Sequence, residues 1–181
     1  MAGYLDKEKG SFVDQPVPMH GAAKHTDVAR ELFIPALEGY SPGGTRTYLG
    51  LFGILRCADA ATTEILATIK VPDDFVSFSS VKLAWSSPAA AGDMYWQMSA
   101  NYAANGEVWN THSDTPGYGV TTMTLTSAIQ VEEPALPLTL ASLAIGDYVG
   151  LYFARAGGDA LDTLTNVVNV FGFLFTYVAN Q

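Results

Sequence analysis

The last third of the chain constrains the fold most. From Gly146 to Val178 it reads as two runs rich in Val, Phe and Tyr, with Gly157, Gly158, Asp159 and Asp162 clustered between them. Turn formers between two β-rich runs predict two long antiparallel strands closing as a hairpin. In the second run Val167, Phe171, Phe173, Phe175 and Tyr177 share one parity, and Val168, Val170, Leu174 and Val178 the other. Side chains alternate faces along a strand, so a regular strand here is apolar on both sides and needs cover on both. Phe171, Phe173 and Phe175 against Val168, Val170 and Leu174 are therefore the candidate subunit interface. Gly172 between them marks the place of closest packing.

The rest of the chain is also read as strands. Ile65, Ala67, Ile69 and Val71 alternate with Glu64, Thr68 and Lys70, and Val81, Leu83 and Trp85 repeat the pattern. Residues 45–57 form one long apolar run interrupted by Gly50 and Gly53, and Asn105-Gly106 is a tight-turn signal. Val108–Thr111 starts a return strand, 112–117 reads as a loop, and a Thr-rich strand over 120–131 points Met123, Leu125 and Ile129 inward. Leu140–Leu143 fits one helical turn stopped by Gly146. The expected fold is all-β: an antiparallel two-sheet sandwich, a jelly roll of eight or nine strands with one short helix. Residues 1–31 mix acids, bases and Pro without periodicity and read as an extended N-terminal arm, with one capped turn over 26–31; residues 32–181 are the sandwich domain.

Charge narrows the function classes. The formal net charge is −9, and from Leu83 onward Arg155 is the only Lys or Arg against eight acids. Nucleic-acid binding needs Lys and Arg to replace phosphate counterions, so no nucleic-acid partner is expected. No apolar run approaches ~18 residues, so no membrane helix is expected. The first ten residues carry charges where an export signal needs its apolar stretch, which predicts synthesis in a cytoplasm without such a signal.

Catalytic and metal motifs are absent from the pattern. His112, Ser113 and Asp114 are adjacent on one polar stretch and cannot array as nucleophile, base and orienting acid. Cys57 is a single thiol in an apolar run and reads as a small buried hydrophobe. His20 and His25 lie in the arm, far from His112, so no catalytic residue, cofactor or zinc site is expected. Asp159 with Asp162, or Asp73 with Asp74, could hold calcium or simply serve as turn formers. Trp85, Tyr95, Trp96, Tyr102 and Trp109 fall on neighbouring strands and read as core or subunit interface, Trp85 continuing an inward face; under the alternative of a sugar-binding platform, Trp96 and Trp109 are the candidate stacking residues.

Several short motifs recur in a fixed order. They are Leu83-Ala84-Trp85, Gly92-Asp93-Met94-Tyr95-Trp96, Tyr102 with Asn105-Gly106-Glu107, and Asn110 to Asp114. Leu140 to Leu151 follows, and then Arg155 with Asp159-Ala160-Leu161-Asp162-Thr163 before a final apolar strand. In this order and spacing the stretch from about Val81 to Tyr177 resembles a sandwich module of tailed-phage virion surface proteins, head decoration (cement) proteins among them. The resemblance implies a non-enzymatic virion structural protein, made in the host cytoplasm, that binds and reinforces the outside of a capsid shell. It implies a trimer, with the major capsid protein or other virion proteins as partners, and it brings no catalytic residues. The alternatives are a carbohydrate-binding β-sandwich module, or a minor tail, collar or fibre-attachment protein.

Overall fold

The computed structural model describes residues 4–6, 11–13, 27–89, 91–122 and 130–180. Twelve strands run in chain order: β1 (Tyr4–Asp6), β2 (Ser11–Val13), β3 (Val28–Pro35), β4 (Thr45–Leu49), β5 (Phe52–Cys57) and β6 (Thr62–Lys70) open the series. β7 (Phe75–Ser86), β8 (Asp93–Ala103), β9 (His112–Thr122), β10 (Ala135–Leu136), β11 (Tyr148–Ala156) and β12 (Val168–Ala179) complete it. β1 and β2 pair only with each other. One sheet has the order β10-β7-β12-β5-β4, with β3 also on β12; the other has the order β6-β11-β8-β9. Every pairing among the described residues is antiparallel, and from β5 onward the chain passes back and forth between the sheets except at the β8–β9 hairpin. That order is the jelly-roll sandwich.

Both closing runs are strands, but they are not a hairpin. β11 lies between β6 and β8 in one sheet, and β12 between β7 and the β5/β3 pair in the other. Residues 157–167 are thus a crossing between layers, and Arg155 holds it. Its Nε and Nη2 donate to Asp162 Oδ2 and Oδ1 at 2.9 and 2.7 Å. The remaining donors reach the carbonyls of Leu164 (2.6 Å), Asn166 (2.7 Å) and Cys57 (3.4 Å). Both side chains of the pair are buried. A guanidinium can spread five N–H donors over one planar fork; a lysine cannot.

The two-sided apolar pattern of β12 has a local cause. Opposite β7 the register steps from Val170–Trp85 to Gly172–Ala84, leaving Phe171 as an extra residue. This β-bulge shifts the parity. Val168, Val170, Phe173, Phe175 and Tyr177 all turn into the space between the sheets, where Trp85, Leu83, Met98 and Phe153 meet them. Each such burial is worth about 1.5–3 kcal/mol, which outweighs one disrupted ladder position. The expected division of this strand into two opposed faces is therefore corrected. Val168, Val170, Phe173 and Phe175 are fully buried in the chain's own core and offer a partner no surface. Phe171 stays half-buried, edge-on to Phe52 with ring centroids 5.7 Å apart. Leu174, the sixth of the proposed interface residues, is also buried.

Other boundaries differ for equally local reasons. Residues 45–57 turn back at Gly50 (φ 60°), so the expected single strand is the β4–β5 hairpin. Residues 28–31 extend along β12 as the start of β3 instead of forming a helical turn. Residues 112–117 belong to β9, which accommodates Pro116 and Gly117 (φ 83°) through a register shift opposite Met98–Ala100. Leu140–Leu143 is a turn, since the Asp114 carboxylate accepts the N–H groups of Thr139 and Leu140; the short helix is a 3-10 turn at Ala36–Glu38 instead. His20, His25, Met123, Leu125 and Ile129 lie outside the described residues.

Candidate functional site

The sandwich turns the outer face of the β6-β11-β8-β9 sheet toward solvent. On β11 the residues pointing inward are Val149, Leu151, Phe153 and Arg155, all buried. Those pointing outward are Tyr148, Gly150, Tyr152, Ala154 and Ala156, an alternation of large and small. Cross-strand register sets their neighbours. Thr68 and Asn101 flank Gly150, Leu66 and Ser99 flank Tyr152, and Lys70 and Ala103 flank Tyr148.

Gly150 makes the hollow. It has no positive φ, and a Cβ built on it would touch only the Asn101 carbonyl oxygen, at 3.8 Å. Packing does not require a glycine there, and a glycine inside a strand costs about 0.5–1 kcal/mol relative to alanine. The missing side chain instead leaves a trough between Tyr148 and Tyr152 with a volume of about 550 Å³. Its far wall is the 104–109 loop, where Gly106 takes a φ of 94° and the Glu107 carboxylate accepts the Ala104 N–H at 2.9 Å. That loop delivers Trp109 to the rim, 71% exposed, where Tyr148 is also exposed at 53%. The Tyr152 hydroxyl is steadied by Glu64 Oε1 at 3.2 Å. Aromatic rings, a floor of bare backbone and the polar ends of Thr68, Asn101 and Glu107 therefore line one open concavity.

Of the two tryptophans expected to stack a sugar, one is placed for it. Trp109 stands on the rim. Trp96 is buried, stacked on Phe153 with centroids 6.1 Å apart, and its indole lies over Gly119. Tyr95, on the opposite parity, is the residue of that pair on the outer face. Trp85 is buried as expected. Tyr148 and Tyr152 were missed because they sit in an apolar run that reads as core throughout; the signal was Gly150 between them, small where a β11 side chain belongs.

The other candidates resolve into structural roles. Asp162 is engaged by Arg155 and by the Tyr95 N–H at 3.1 Å, and Asp159 caps its own turn through the Leu161 N–H at 2.9 Å. Asp74 pairs with Arg30 and accepts the Tyr177 hydroxyl at 3.2 Å. Burial first, then Asp74, raises the Tyr177 pKa. Among the described residues no three His, Cys, Asp or Glu side chains gather where a metal ion could be held. Cys57 is buried, and desolvation pushes its thiol up to about 12 against the opposing pull of Arg155. His112 stacks on Tyr102, while Asp114 turns away to the 139–140 backbone, so no triad assembles. Among the residues behind the virion-module resemblance, Asp93 ties to Thr163 through both main chain and hydroxyl, and Asp147 accepts the Ala144 N–H.

No family model and no curated protein matches the sequence. Among solved structures, a family two carbohydrate esterase from Cellvibrio japonicus aligns at 10% identity and a TM-score of 0.44, over 85% of this chain and 36% of that one. The chain thus spans about a third of the esterase. A family 11 carbohydrate-binding module from Clostridium thermocellum, in complex with a β-1,3-1,4-mixed-linked tetrasaccharide, aligns at 11% identity and 0.39, over 80% and 94%. The module TmCBM61, in complex with β-1,4-galactotriose, aligns at 8% and 0.36, over 84% and 88%. At such identities and TM-scores these likenesses say nothing of what this chain binds.

Proposed function

We propose that this chain is a non-catalytic carbohydrate-binding β-sandwich module that holds a glycan in the trough floored by Gly150. One observation supports it above the others. A glycine that packing does not require sits in the outward row, with Tyr148 and Tyr152 beside it and Trp109 on the rim. Sugar rings present C–H faces that stack on aromatic side chains and hydroxyl edges that need hydrogen-bonding partners, and this lining offers both. A purely apolar ligand would leave the polar groups of Thr68, Asn101 and Glu107 unmatched. The reading is of binding: Glu64 and Glu107 hold the lining in place by accepting hydrogen bonds from the Tyr152 hydroxyl and the Ala104 N–H. The test is a glycan screen with the purified chain. Binding that Trp109→Ala weakens supports the proposal, and no binding to any glycan overturns it.

A second reading places the module on a virion, attached to the outside of a capsid as a trimeric decoration protein. What favours it is the tip of the β4–β5 hairpin, where Tyr48, Leu51 and Phe52 stand exposed, Leu51 completely. Exposed apolar clusters of this kind serve contacts between proteins. Co-sedimentation with capsid shells, and a trimer mass by light scattering, test it; a monomer that ignores shells contradicts it.

A further inference from the structure

The trough does not end at the edge of its sheet. Leu66, Ala67 and Thr68 of the edge strand β6 line both it and a second hollow of about 440 Å³, which continues to Glu38, Gly39 and Tyr40. Tyr40 bridges to Leu66, its carbonyl accepting the Leu66 N–H at 2.9 Å. Paired residues share a face, so Tyr40 joins the outward row Ser99–Tyr152–Leu66. Its side chain is 72% exposed, matching Trp109 at the other end. With strands ~4.8 Å apart, the passage from β8 across β11 and β6 to Tyr40 is about 14 Å. Each mouth therefore carries one exposed aromatic residue, and neither end is closed.

We infer that the cleft takes an internal stretch of a neutral linear polysaccharide laid across the strands, with Tyr40 as the far stacking position. The inference rests on the carbohydrate-binding reading and says which class of glycan the site takes. A closed pocket would select a chain end or a single sugar; an open cleft with aromatic residues at both mouths lets a polymer enter and leave. Charge selects further. Glu38 and Glu107 line the passage, Glu64 accepts the hydroxyl of its Tyr152, and Lys70 sits beside Tyr148, in a chain of net charge −9. A uronate or sulfated polymer would meet like charge.

The test is titration calorimetry with neutral gluco-, manno-, xylo- and galacto-oligosaccharides from disaccharide to hexasaccharide, and with polygalacturonate as the anionic probe. The expected result is affinity rising with length for one neutral series and no binding of polygalacturonate. Tyr40→Ala, an exposed position whose backbone bridge any residue can make, should bring the hexasaccharide down about five- to tenfold, toward the affinity of the short members. Binding that is the same for disaccharide and hexasaccharide, or hexasaccharide affinity untouched by Tyr40→Ala, overturns the open-cleft inference and leaves the carbohydrate reading standing. Preference for polygalacturonate overturns the charge assignment. Failure of every sugar to bind overturns the parent reading itself.

Discussion

Two glycines in consecutive strands, each central in its own sheet, have opposite uses. Gly172 in β12 and Gly150 in β11 each interrupt a strand on the outer side of its sheet. A Cβ on Gly172 would lie 2.2 Å from the Ile34 carbonyl oxygen and 2.9 Å from the Phe33 ring, so the chain has filled that space itself. A Cβ on Gly150 would meet nothing closer than 3.8 Å, so that space is open. The first glycine is a packing requirement. The second is not required by packing, and on the proposed reading the space it leaves belongs to the ligand. The two positions divide on this: at Gly172 the Phe33 ring and Ile34 carbonyl of the paired strand β3 fill the space, and at Gly150 it is left as a trough.

The largest expected effect concerns the crossing that keeps these two strands in different sheets. Asp162→Ala leaves the Arg155 guanidinium buried without its carboxylate and should destabilise the fold by about 3–5 kcal/mol in urea unfolding. A loss below about 1 kcal/mol would mean the ion pair does not hold the crossing. Next comes Gly172→Ala, where the new methyl strikes a backbone carbonyl. A loss of about 1–3 kcal/mol is expected. Because the obstacle is main chain, adding Phe33→Ala should not restore it; full rescue would show that only the ring was in the way.

A smaller effect follows from Cys57. Its thiol is held up to about 12 by burial, above the ordinary value of 9.0 that the unfolded chain has. The unfolded state therefore ionises first as pH rises. Stability linked to this group is fully present below pH 9 and is lost progressively between about 9 and 12. Cys57→Ala should flatten that alkaline decline, measured as unfolding midpoint against pH. Iodoacetamide at pH 8 should label Cys57 only when the protein unfolds.

Alternation made much of this legible in advance. Ile65, Ala67 and Ile69 against Glu64, Thr68 and Lys70, and Val81, Leu83 and Trp85, lie on the faces their spacing predicts, and the all-β sandwich follows from such patterns. Long-range pairing was not legible. Tyr148–Arg155 and Asn166–Val178 look like hairpin arms because nothing local says that Arg155 reaches Asp162 and turns the chain into the other sheet. The bulge at Phe171 was hidden for the same reason, since one extra residue reverses every later face and is visible only against β7. Of the site, Trp109 was named as one of the aromatic residues on neighbouring strands, although residues 108–111, read as the start of a strand, form a turn before β9. Tyr148 and Tyr152 were lost in an apolar run, and Tyr40 joins the face only through its bridge to Leu66.

The comparison between the glycines rests finally on Gly150→Val, examined by thermal unfolding and by calorimetric titration with the best glycan from the screen. The account predicts a fold changed by less than about 1 kcal/mol, since valine suits a strand and its Cβ meets nothing closer than 3.8 Å. It also predicts loss of most of the binding, because the floor of the trough is filled. Retained glycan affinity in a folded Gly150→Val protein would contradict the claim that this glycine exists for a ligand.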